Sequence, residues 1–325
     1  MKNAIQYYSV GALLYCPANR EGVAGSVINN KFGTKYSLAF CLEDTIADDC
    51  VKEAEQKLEL SIKEIYQAAQ RKSFYMPKMF IRVRNGEQAI RLMKACGAAA
   101  ELVTGFIFPK FSMENADVYI RAMTVINETS PKPVYMMPIY ESPSIIDLRY
   151  RYEILYGLKE KLDRVEEMVL NIRVGGNDLC NIFGFRRHSD ESIHRIAPIA
   201  NIFSDIITVY GKDYVISGPV WEYYGGSGWD TGLMRELAED RLCGFTGKTV
   251  IHPKQISLVN AAYQISQKDL DDARAILEWD AAASSLVSGS VACERMNEHK
   301  THRNWAVQTL LMAEAYGVVE LLHLE

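Results

Sequence analysis

The sequence of 325 residues contains no run of about twenty apolar residues and no block rich in lysine or arginine. The first absence excludes a membrane-spanning helix, because such a helix needs about 20 apolar residues to cross the bilayer. The second, with a formal net charge of −5, argues against nucleic acid or an anionic membrane as a partner. We therefore expect a globular protein with neither kind of partner.

Patterns of metal-binding and disulfide-forming residues are also missing. The seven cysteines are scattered, no two of them form a CxxC pair, and no HExxH segment occurs. An odd, scattered set in a chain of this length is typical of reduced thiols, so we expect a cytoplasmic protein. The N-terminal residues lack the basic start and the cleavage site of a signal peptide, and we expect no leader sequence.

The sequence does contain a regular alternation of short apolar segments and longer amphipathic ones. Eight apolar segments are rich in β-branched or aromatic residues and are apolar on both faces, as buried parallel strands are. They are residues 12–18, 36–43, 78–84, 105–110, 134–141, 169–176, 214–220 and 247–252. A helix-like segment follows each of them, which gives eight strand–helix units.

Eight such units predict a closed (β/α)8 barrel, the TIM-barrel fold of the α/β class. An open doubly wound sheet, the competing fold, usually has fewer strands and a GxGxxG turn after the first one. No such turn follows Ala18, so we assign a TIM-barrel catalytic domain to residues 1–266. Residues 267–325 are predicted to form a C-terminal helical arm, with helices over 269–287 and 301–322 and no strand between them.

Polar side chains collect at the predicted carboxyl ends of the strands, where the active sites of such barrels lie. They are Arg20, Glu43, Asp44, Arg82, Arg84, Lys110, Glu141, Asn177, Asp178, Glu222 and His252. We therefore expect the functional site to be built from members of this set.

Glu141 and Asp178 end neighbouring predicted strands and could face the same point. Two carboxylates, completed by water and substrate oxygens, are a common way to hold Mg²⁺. The pair Gly175-Gly176 would let a ligand approach the backbone closely. Alternatively, each carboxylate caps a helix, and Asp178 stands where an N-cap is expected.

The basic residues at the strand ends have two interpretations each. Arg82 would lie inside the barrel mouth, where a guanidinium can bind a carboxylate through two hydrogen bonds, and Arg84 would point the same way. Alternatively, each forms a salt bridge with Glu43 or Asp44. Lys110 could form a Schiff base with a substrate, but carboxylates nearby should keep its ammonium charged, which argues against a nucleophile.

Seven segments in this order resemble the motifs of one known group of enzymes. They are residues 17–20 (PANR), 41–46 (CLEDTI), 81–85 (IRVRN), 108–110 (FPK), 139–142 (IYES), 175–179 (GGNDL) and 244–256 (GFTGKTVIHPKQI). The chain resembles the citrate lyase β-subunit and malyl-CoA lyase group of the HpcH/HpaI aldolase superfamily. It is similar to a divergent branch of carbon–carbon bond lyases associated with bacterial stress operons.

This resemblance implies a Mg²⁺-dependent lyase or aldolase that cleaves or condenses a hydroxy- or keto-acid, or its CoA thioester, through an enolate. By resemblance, Glu141 and Asp178 hold the metal and Arg82 binds the acid carboxylate. Glu43 and Asp44 assist catalysis through contacts with the residues around the metal or through water. The remaining predicted substrate contacts are Arg20, Gly176, Asn177 and Lys110.

The resemblance also implies a homo-oligomer, a trimer or hexamer, whose arm covers the next barrel. In acyl-CoA members an aspartate of the arm acts as acid or base in a neighbouring subunit's site, and Glu298 is the nearest match here. Glu298 in place of aspartate, Cys41 in place of the usual aspartate, and the aromatic loop 221–229 (WEYYGGSGW) depart from the motifs. These departures fall where the acyl-CoA group would bind.

Three alternatives to the lyase remain open on sequence grounds. The same chemistry could pass an acyl group from CoA to water, which would make the protein a thioester hydrolase. Lys110 could serve a metal-free Schiff-base aldolase. The barrel could also be a non-catalytic binding protein, although the complete set of Glu141, Asp178 and Arg82 argues against that.

Overall fold

A computed structural model describes residues 2–280 and 284–319 of the chain. Eight parallel strands form one sheet in the order β7-β6-β5-β4-β3-β2-β1-β8. The strands are β1 Ala12–Pro17, β2 Tyr36–Cys41, β3 Lys78–Arg82, β4 Val103–Phe108, β5 Tyr135–Tyr140, β6 Ile172–Val174, β7 Ile216–Ser217 and β8 Lys248–Val250. A parallel bridge between Gly218 and Lys248 joins the two ends of the sheet, so the predicted TIM barrel is confirmed.

Helices surround the barrel and follow the strands as predicted. Those outside the C-terminal arm are α1 Ile5–Tyr8, α2 Val23–Ile28, α3 Val51–Ala69, α4 Gly86–Cys96, α5 Ala116–Thr129, α6 Arg151–Asp163, α7 Gly176–Ile182, α8 Ala197–Tyr210, α9 Trp229–Cys243 and α10 Lys254–Ala262. Short 3₁₀ turns lie at Asp48–Cys50, Gly97–Leu102, Pro143–Ile145, Glu166–Met168 and Ile193–Arg195. Among the described stretches, no helix is both long and apolar enough to cross a bilayer.

Helix α4 illustrates how the local sequence sets these elements. The side chain of Asn85 accepts a hydrogen bond from the Gln88 backbone amide and so caps the first turn. Ala89, Leu92 and Cys96 are buried, at the spacing that places side chains on one helix face. This face packs on the outside of the barrel, while the solvent side of the helix stays polar.

The barrel interior is divided into an apolar and a polar half. On the side of β1 to β5 the interior cluster is apolar and includes Leu13, Ala39, Phe80, Ile107 and Met137. On the side of β6 to β8 the buried side chains are polar. They are Asn171, Arg173 and Ser217, with Thr249 beside them. The interior is therefore a packed core on one side and a hydrogen-bonded one on the other.

The C-terminal arm differs from the prediction. The helix predicted over 269–287 is α11 Gln267–Leu277, and the second is α12 Arg303–Tyr316; residues 281–283 and 320–322 of the two predicted helices lie outside the described residues. The prediction of no strand between them is wrong, because β10 Val287–Gly289 and β11 Met296–Glu298 form an antiparallel hairpin there. A further pair, β9 Ile265–Ser266 with β12 Val318–Val319, ties the end of the arm to the barrel domain. The division at residue 266 itself stays a prediction.

The arm lies against the amino-terminal end of the barrel. Tyr316 is buried and approaches Gly11 and Gly247, which precede β1 and β8. The segment after β6 also departs from the prediction, since a seven-residue helix is followed by an irregular stretch and then by the unpredicted helix α8. Helix α8 buries Ile199, Ile202, Phe203 and Ile206, and this apolar spacing was a sequence signal that could have indicated it.

Candidate active site at the barrel mouth

Five of the predicted site residues meet at the carboxyl ends of β2 to β5, and we call Glu43, Asp44, Arg82, Lys110 and Glu141 the mouth cluster. Parallel strands bring their ends to one edge of the barrel, which explains the meeting of residues that are far apart in sequence. Their ion pairs and hydrogen bonds are all shorter than 3.3 Å. The cluster holds three carboxylates and two cations.

Arg82 is the hub of the mouth cluster. Its Nη2 lies 2.7 Å from Glu43 Oε2, 2.8 Å from Asp44 Oδ2 and 3.2 Å from Glu141 Oε1. Its Nε is buried and has no acceptor among residues of the described ranges. The salt bridges that we considered as an alternative therefore exist, and one donor of Arg82 is left over for another acceptor.

Arg84 does not join the cluster. Its Nε donates to the Leu42 carbonyl at 2.8 Å, and its terminal nitrogens bind the Glu43 and Ile46 carbonyls and Asp48. Arg84 thus fixes the loop that carries Glu43 and Asp44, and the expectation that it points into the mouth is wrong.

Lys110 joins the cluster through both its backbone and its side chain. Its Nζ lies 2.6 Å from Glu43 Oε1 and 3.2 Å from Asp44 Oδ1, and its amide donates to Glu141 Oε1 at 3.1 Å. Burial acts to lower the pKa of Lys110, but the hydrogen bonds to Glu43 and Asp44 outweigh it and raise the pKa above its usual value. A strongly held ammonium argues against a Schiff-base nucleophile.

Glu141 is the deeply buried carboxylate of the site, with 3% of the residue exposed. Burial raises the pKa of Glu141 to about 8, the Arg82 charge acts to lower it, and the Asp178 charge raises it further. A Cβ at Gly175 would collide with Oε2 of Glu141. The absence of a side chain at Gly175 therefore leaves room for the carboxylate just after β6.

Asp178 lies in the first turn of α7, whose N-cap is Gly175. The interpretation that Asp178 caps the helix is wrong, since no side chain caps α7. Glu141 is not a cap either, because the side chain of Ser142 caps the 3₁₀ turn that follows it. Within the described chain no cluster of three or more His, Cys, Asp or Glu could hold a metal ion. A pair of carboxylates fits Mg²⁺, which keeps several waters.

The remaining predicted contacts lie around this centre. Arg20 is exposed and lies near the end of β8. Burial, followed by the charges of Lys254 and Arg20, lowers the pKa of His252 there. The Tyr224 ring stacks on His252 with centroids 4.9 Å apart. Asn177 accepts a hydrogen bond from Arg187 at 3.5 Å. These residues form a rim on the side of β1, β6 and β8.

Gly176 and Glu298 complete the predicted set. Gly176 is buried, and a Cβ there would press on Ile193 and Pro219, so this glycine serves close packing. Glu298 lies in the arm hairpin, where its Oε2 accepts from Thr301 at 2.6 Å. Its described hydrogen bonds are all within the arm, and its role in a neighbouring subunit stays a prediction.

A second group of charged residues was missed from sequence, and we call Arg187, His194, Glu236, Asp240 and Lys248 the buried network. Lys248 Nζ lies 2.9 Å from Glu236 Oε1 and 2.6 Å from Asp240 Oδ2. His194 Nε2 lies 2.7 Å from Asp240 Oδ1, and Arg187 Nε lies 3.1 Å from Glu236 Oε2. Lys248, a charged residue inside an apolar strand, was a sequence signal that could have indicated this network.

Tyr15 and Arg173 were also missed. The Arg82 guanidinium lies 6.0 Å from the Tyr15 ring centroid. Burial raises the pKa of Tyr15 to about 12, and the charges of Arg173 and Arg82 act to lower it. A basic residue within the apolar segment 169–176 could have indicated Arg173.

Comparison with known protein families gives a match over nearly the whole chain. Residues 4–318 match the family described as C-C bond lyase of the TIM-barrel fold. The curated relatives are more distant. The citrate lyase β-subunit of Escherichia coli is 36% identical over 69 residues, 21% of this chain and 23% of that protein. A (3S)-malyl-CoA thioesterase of Cereibacter sphaeroides is 28% identical over 142 residues, 44% of this chain and 47% of that protein.

The matches to these relatives thus span less than half the relatives' length. Among solved structures, the protein CitE of Mycobacterium tuberculosis in complex with magnesium, acetoacetate and coenzyme A superposes with a TM-score of 0.62. It is 17% identical, and the match covers 95% of this chain and 99% of that one. RipC of Yersinia pestis gives a TM-score of 0.51 at 17% identity, over 79% and 95% of the two chains. At these identities the structures support the fold.

Proposed function

This chain belongs to the C-C bond lyase family of the TIM-barrel fold, and from that premise we propose that it makes or breaks a carbon–carbon bond in a hydroxy- or oxo-acid. The single observation that carries the proposal is the burial of Glu141 between Arg82 and Gly175, with the Asp178 charge close enough to raise its pKa. A buried carboxylate of this kind is stabilised by a cation. We assign that cation as Mg²⁺.

Glu141 and Asp178 are the residues that would hold the ion. When bound, Mg²⁺ acts as a Lewis acid on a carbonyl oxygen and stabilises negative charge that develops there. The donor set fits the ion, because two carboxylate groups leave coordination positions for water and substrate oxygens. A magnesium complex of the similar CitE protein supports this choice.

The residues of the mouth cluster bind the substrate and handle its proton. Arg82 presents its buried Nε, which has no acceptor within the described residues, to the substrate carboxylate. Burial raises the pKa of Glu43, the Arg82 charge acts to lower it, and the side chain is only 12% exposed. Glu43 therefore holds or releases the proton at its carboxylate, with Asp44 and Lys110 fixing its orientation. Arg20 and Asn177 contact the distal part of the substrate.

Thioester hydrolysis is the second candidate. A relative named (3S)-malyl-CoA thioesterase matches 44% of this chain, and stabilised negative charge beside a thioester would serve hydrolysis as well as bond cleavage. The aromatic loop 221–229 borders the mouth through Tyr224 on His252, on the side where the distal group of a thioester would extend.

The test is a metal titration followed by an activity screen. Metal-free protein is titrated with Mg²⁺ by calorimetry, and a panel of hydroxy- and oxo-acids is then incubated with and without CoA. Mg²⁺-dependent release of an oxo-acid fragment supports the lyase, whereas free CoA without an oxo-acid supports the hydrolase. Activity that survives EDTA, with substrate trapped on Lys110 by borohydride, contradicts both.

We further propose a cytoplasmic homo-oligomer in which Glu298 of one subunit serves its neighbour. Support comes from the resemblance of the motifs and from the separate arm that carries Glu298. Mixing an inactive Glu298→Gln protein with an inactive Glu141→Gln protein should restore activity, because mixed oligomers contain intact sites. No restoration in mixed oligomers, verified by native mass spectrometry, would contradict the shared site.

A further inference from the structure

Arg173 lies at the centre of the polar half of the barrel interior and is 1% exposed. Its Nη2 donates to Thr249 Oγ1 at 2.6 Å. Its Nε and Nη1 are buried, and neither has an acceptor in the part of the chain that the structure describes. Buried donors normally find a partner, and each one left without costs about 1–3 kcal/mol.

The charge of Arg173 is also without a counter-charge. No Asp or Glu of the described ranges forms an ion pair with it, whereas Arg82 pairs with three carboxylates. Burial lowers the pKa of Arg173, and Tyr15, which also forms a hydrogen bond with the guanidinium, and Tyr316 oppose this only in part. A guanidinium cannot lose its proton under ordinary conditions, so the charge persists in the protein interior.

Two tyrosine hydroxyls approach Arg173 from opposite ends of the barrel. Tyr15 comes from β1 on the side of the mouth, and the Arg173 charge acts on its pKa. Tyr316 comes from α12 at the other end; burial raises its pKa and the Arg173 charge opposes that rise. The Tyr316 hydroxyl is buried and also has no partner among described residues. Two elements, β6 and α12, therefore bring to this region buried groups that have no partner among described residues.

We propose that Arg173 is the centre of an anion subsite inside the barrel, which takes a small monoanion through the Arg173 guanidinium and the Tyr316 hydroxyl. Two sources share this chemistry: the carboxylate of a substrate acid and a halide-sized inorganic anion. Arg173 lies in β6 two residues before Gly175, so its backbone lies roughly 7 Å below the level at which Gly175 meets Glu141. The substrate source rests on the proposed function, and the inorganic source does not.

Water is the competing occupant. Asn171 Oδ1 is buried without a donor among described residues, and Asn171 lies two residues before Arg173, just ahead of β6. A water molecule could bridge Asn171 and Arg173 and satisfy both hydrogen-bonding groups. It would leave the positive charge uncompensated, which is why an anion is the better fit.

The first experiment locates the anion directly. Crystals of the full chain are grown in sodium bromide without Mg²⁺ or an organic acid, and anomalous data are collected at the bromine edge. The proposal expects an anomalous peak within contact of Arg173 Nε or Nη1. A map with only water at these atoms, and no anomalous signal inside the barrel, overturns it.

The second experiment uses matched variants in solution. Arg173→Met removes the proposed subsite, and Arg151→Met removes an equally buried arginine that is fully held by Asp205 Oδ2 at 2.8 Å and the Ile145 carbonyl at 2.6 Å. At about ten times the dissociation constant, bromide should raise the melting temperature of wild type and Arg151→Met by roughly 2–4 °C over gluconate at equal ionic strength. Arg173→Met should show no difference between the two salts.

The remaining outcomes separate the two sources. Adding Mg²⁺ and pyruvate to bromide-grown crystals either replaces the peak by a carboxylate, which assigns the subsite to substrate, or leaves it, which assigns it to an inorganic anion. A bromide effect of equal size in wild type and Arg173→Met overturns the proposal. If Arg173→Met does not fold, the wild-type anomalous map decides alone. Failure of the lyase assay leaves the bromide result unaffected, so the two proposals fail separately.

Discussion

The mouth cluster and the buried network are built from the same kinds of side chain but differ in charge balance and exposure. In the buried network Lys248, Glu236 and Asp240 have fully buried side chains, and Lys248 contacts both carboxylates. In the mouth cluster three carboxylates face two cations, and the side chains of Asp44 and Lys110 are 44% and 48% exposed. The network is neutralised and sealed, whereas the cluster is left with negative charge.

This difference in charge balance indicates that the buried network stabilises the fold and that the mouth cluster can bind a ligand. A sealed, balanced network has no capacity for another ion, and removing one member leaves a buried charge alone. The unbalanced cluster, with Asp178 beside it, has capacity for a divalent ion and for a substrate. Replacement of a charged side chain should therefore mainly lower stability in the buried network and mainly change activity in the mouth cluster.

The largest expected effect is on stability. Lys248→Met leaves Glu236 and Asp240 without their shared cation and should lower the free energy of unfolding by about 3–5 kcal/mol. Urea unfolding of wild type and variant measures this change. Lys161→Met, which removes a surface pair with Asp117, is the matched control and should have little effect. An unchanged unfolding midpoint for Lys248→Met would show that the network is dispensable.

The next effect is on metal affinity. Glu141→Gln removes a proposed ligand and should weaken Mg²⁺ binding about 100-fold or more, since even groups that only support ligands contribute 10–100-fold. Stability should be kept or increased, because burial already disfavours the Glu141 carboxylate. Calorimetric titration with Mg²⁺ measures the affinity, and Glu236→Gln is the control in which stability falls but no ligand is lost. Equal Mg²⁺ affinity in wild type and Glu141→Gln would remove the proposed centre.

The pH dependence of stability should distinguish the network with its lysine from the network without it. Burial acts to raise the pKa of Asp240, but Lys248 and His194 outweigh it and lower the pKa. A lowered folded-state pKa gives stability that is present above the unfolded value near 3.9 and lost as the pH falls through the folded value. The contribution of Asp240 to wild-type stability should thus be constant between pH 7 and 5 and be lost below about pH 4, so the comparison is made on the difference between the two proteins, in which carboxyls with a raised pKa such as Glu141 cancel.

In Lys248→Met the sign should reverse. Without the lysine, burial dominates and the pKa of Asp240 rises above its unfolded value, so the variant should gain stability as the pH falls from 7 toward 4. The gain is about 1.4 kcal/mol for each unit by which the folded pKa exceeds the unfolded one. Urea midpoints at several pH values test this, and parallel curves for the two proteins would contradict it.

The smallest expected effect is steric. Gly175→Ala places a Cβ against the Glu141 carboxylate and should displace it, weakening Mg²⁺ binding by roughly 3- to 10-fold, about 1 kcal/mol of overpacking. Gly25→Ala, where a Cβ meets no atom within 4 Å, is the matched control and should leave Mg²⁺ affinity unchanged. Calorimetry on both variants measures the difference.

Much of the fold and of the mouth cluster could be predicted from the sequence. Each of the eight strands has a compact apolar segment, and parallel strand ends must meet at one edge. That rule alone brings Arg82, Lys110 and Glu141 together. The meeting of Asp178 with Glu141 was predicted from the same rule, although its place in the first turn of α7, rather than at the N-cap, was not.

The buried network and the arm hairpin could not be predicted in this way. Network members such as Arg187 and Asp240 come from a loop and from a helix, and their pairing depends on how those elements pack on β8. The hairpin of β10 and β11 lacks the alternation of apolar and polar residues that indicates a strand. The exposed strand β10 shows why, since it buries none of its residues.

The buried network also affects the closure of the barrel, because it lies where the barrel strands are shortest. Strands β7 and β8 have two and three residues, and the ring closes between them through the bridge of Gly218 with Lys248 and a backbone hydrogen bond from Thr246 to Ile216. Gly218 makes the hydrogen bonds of that bridge with Gly247 and Thr249, on either side of Lys248. The Lys248 ammonium contacts two carboxylates of α9, and one of these, Asp240, packs directly on Gly218. The network thus holds β8 to α9 at the closure of the barrel. In Lys248→Met, which breaks these ion pairs, the amide hydrogens of β7 and β8 should exchange before those of the other barrel strands.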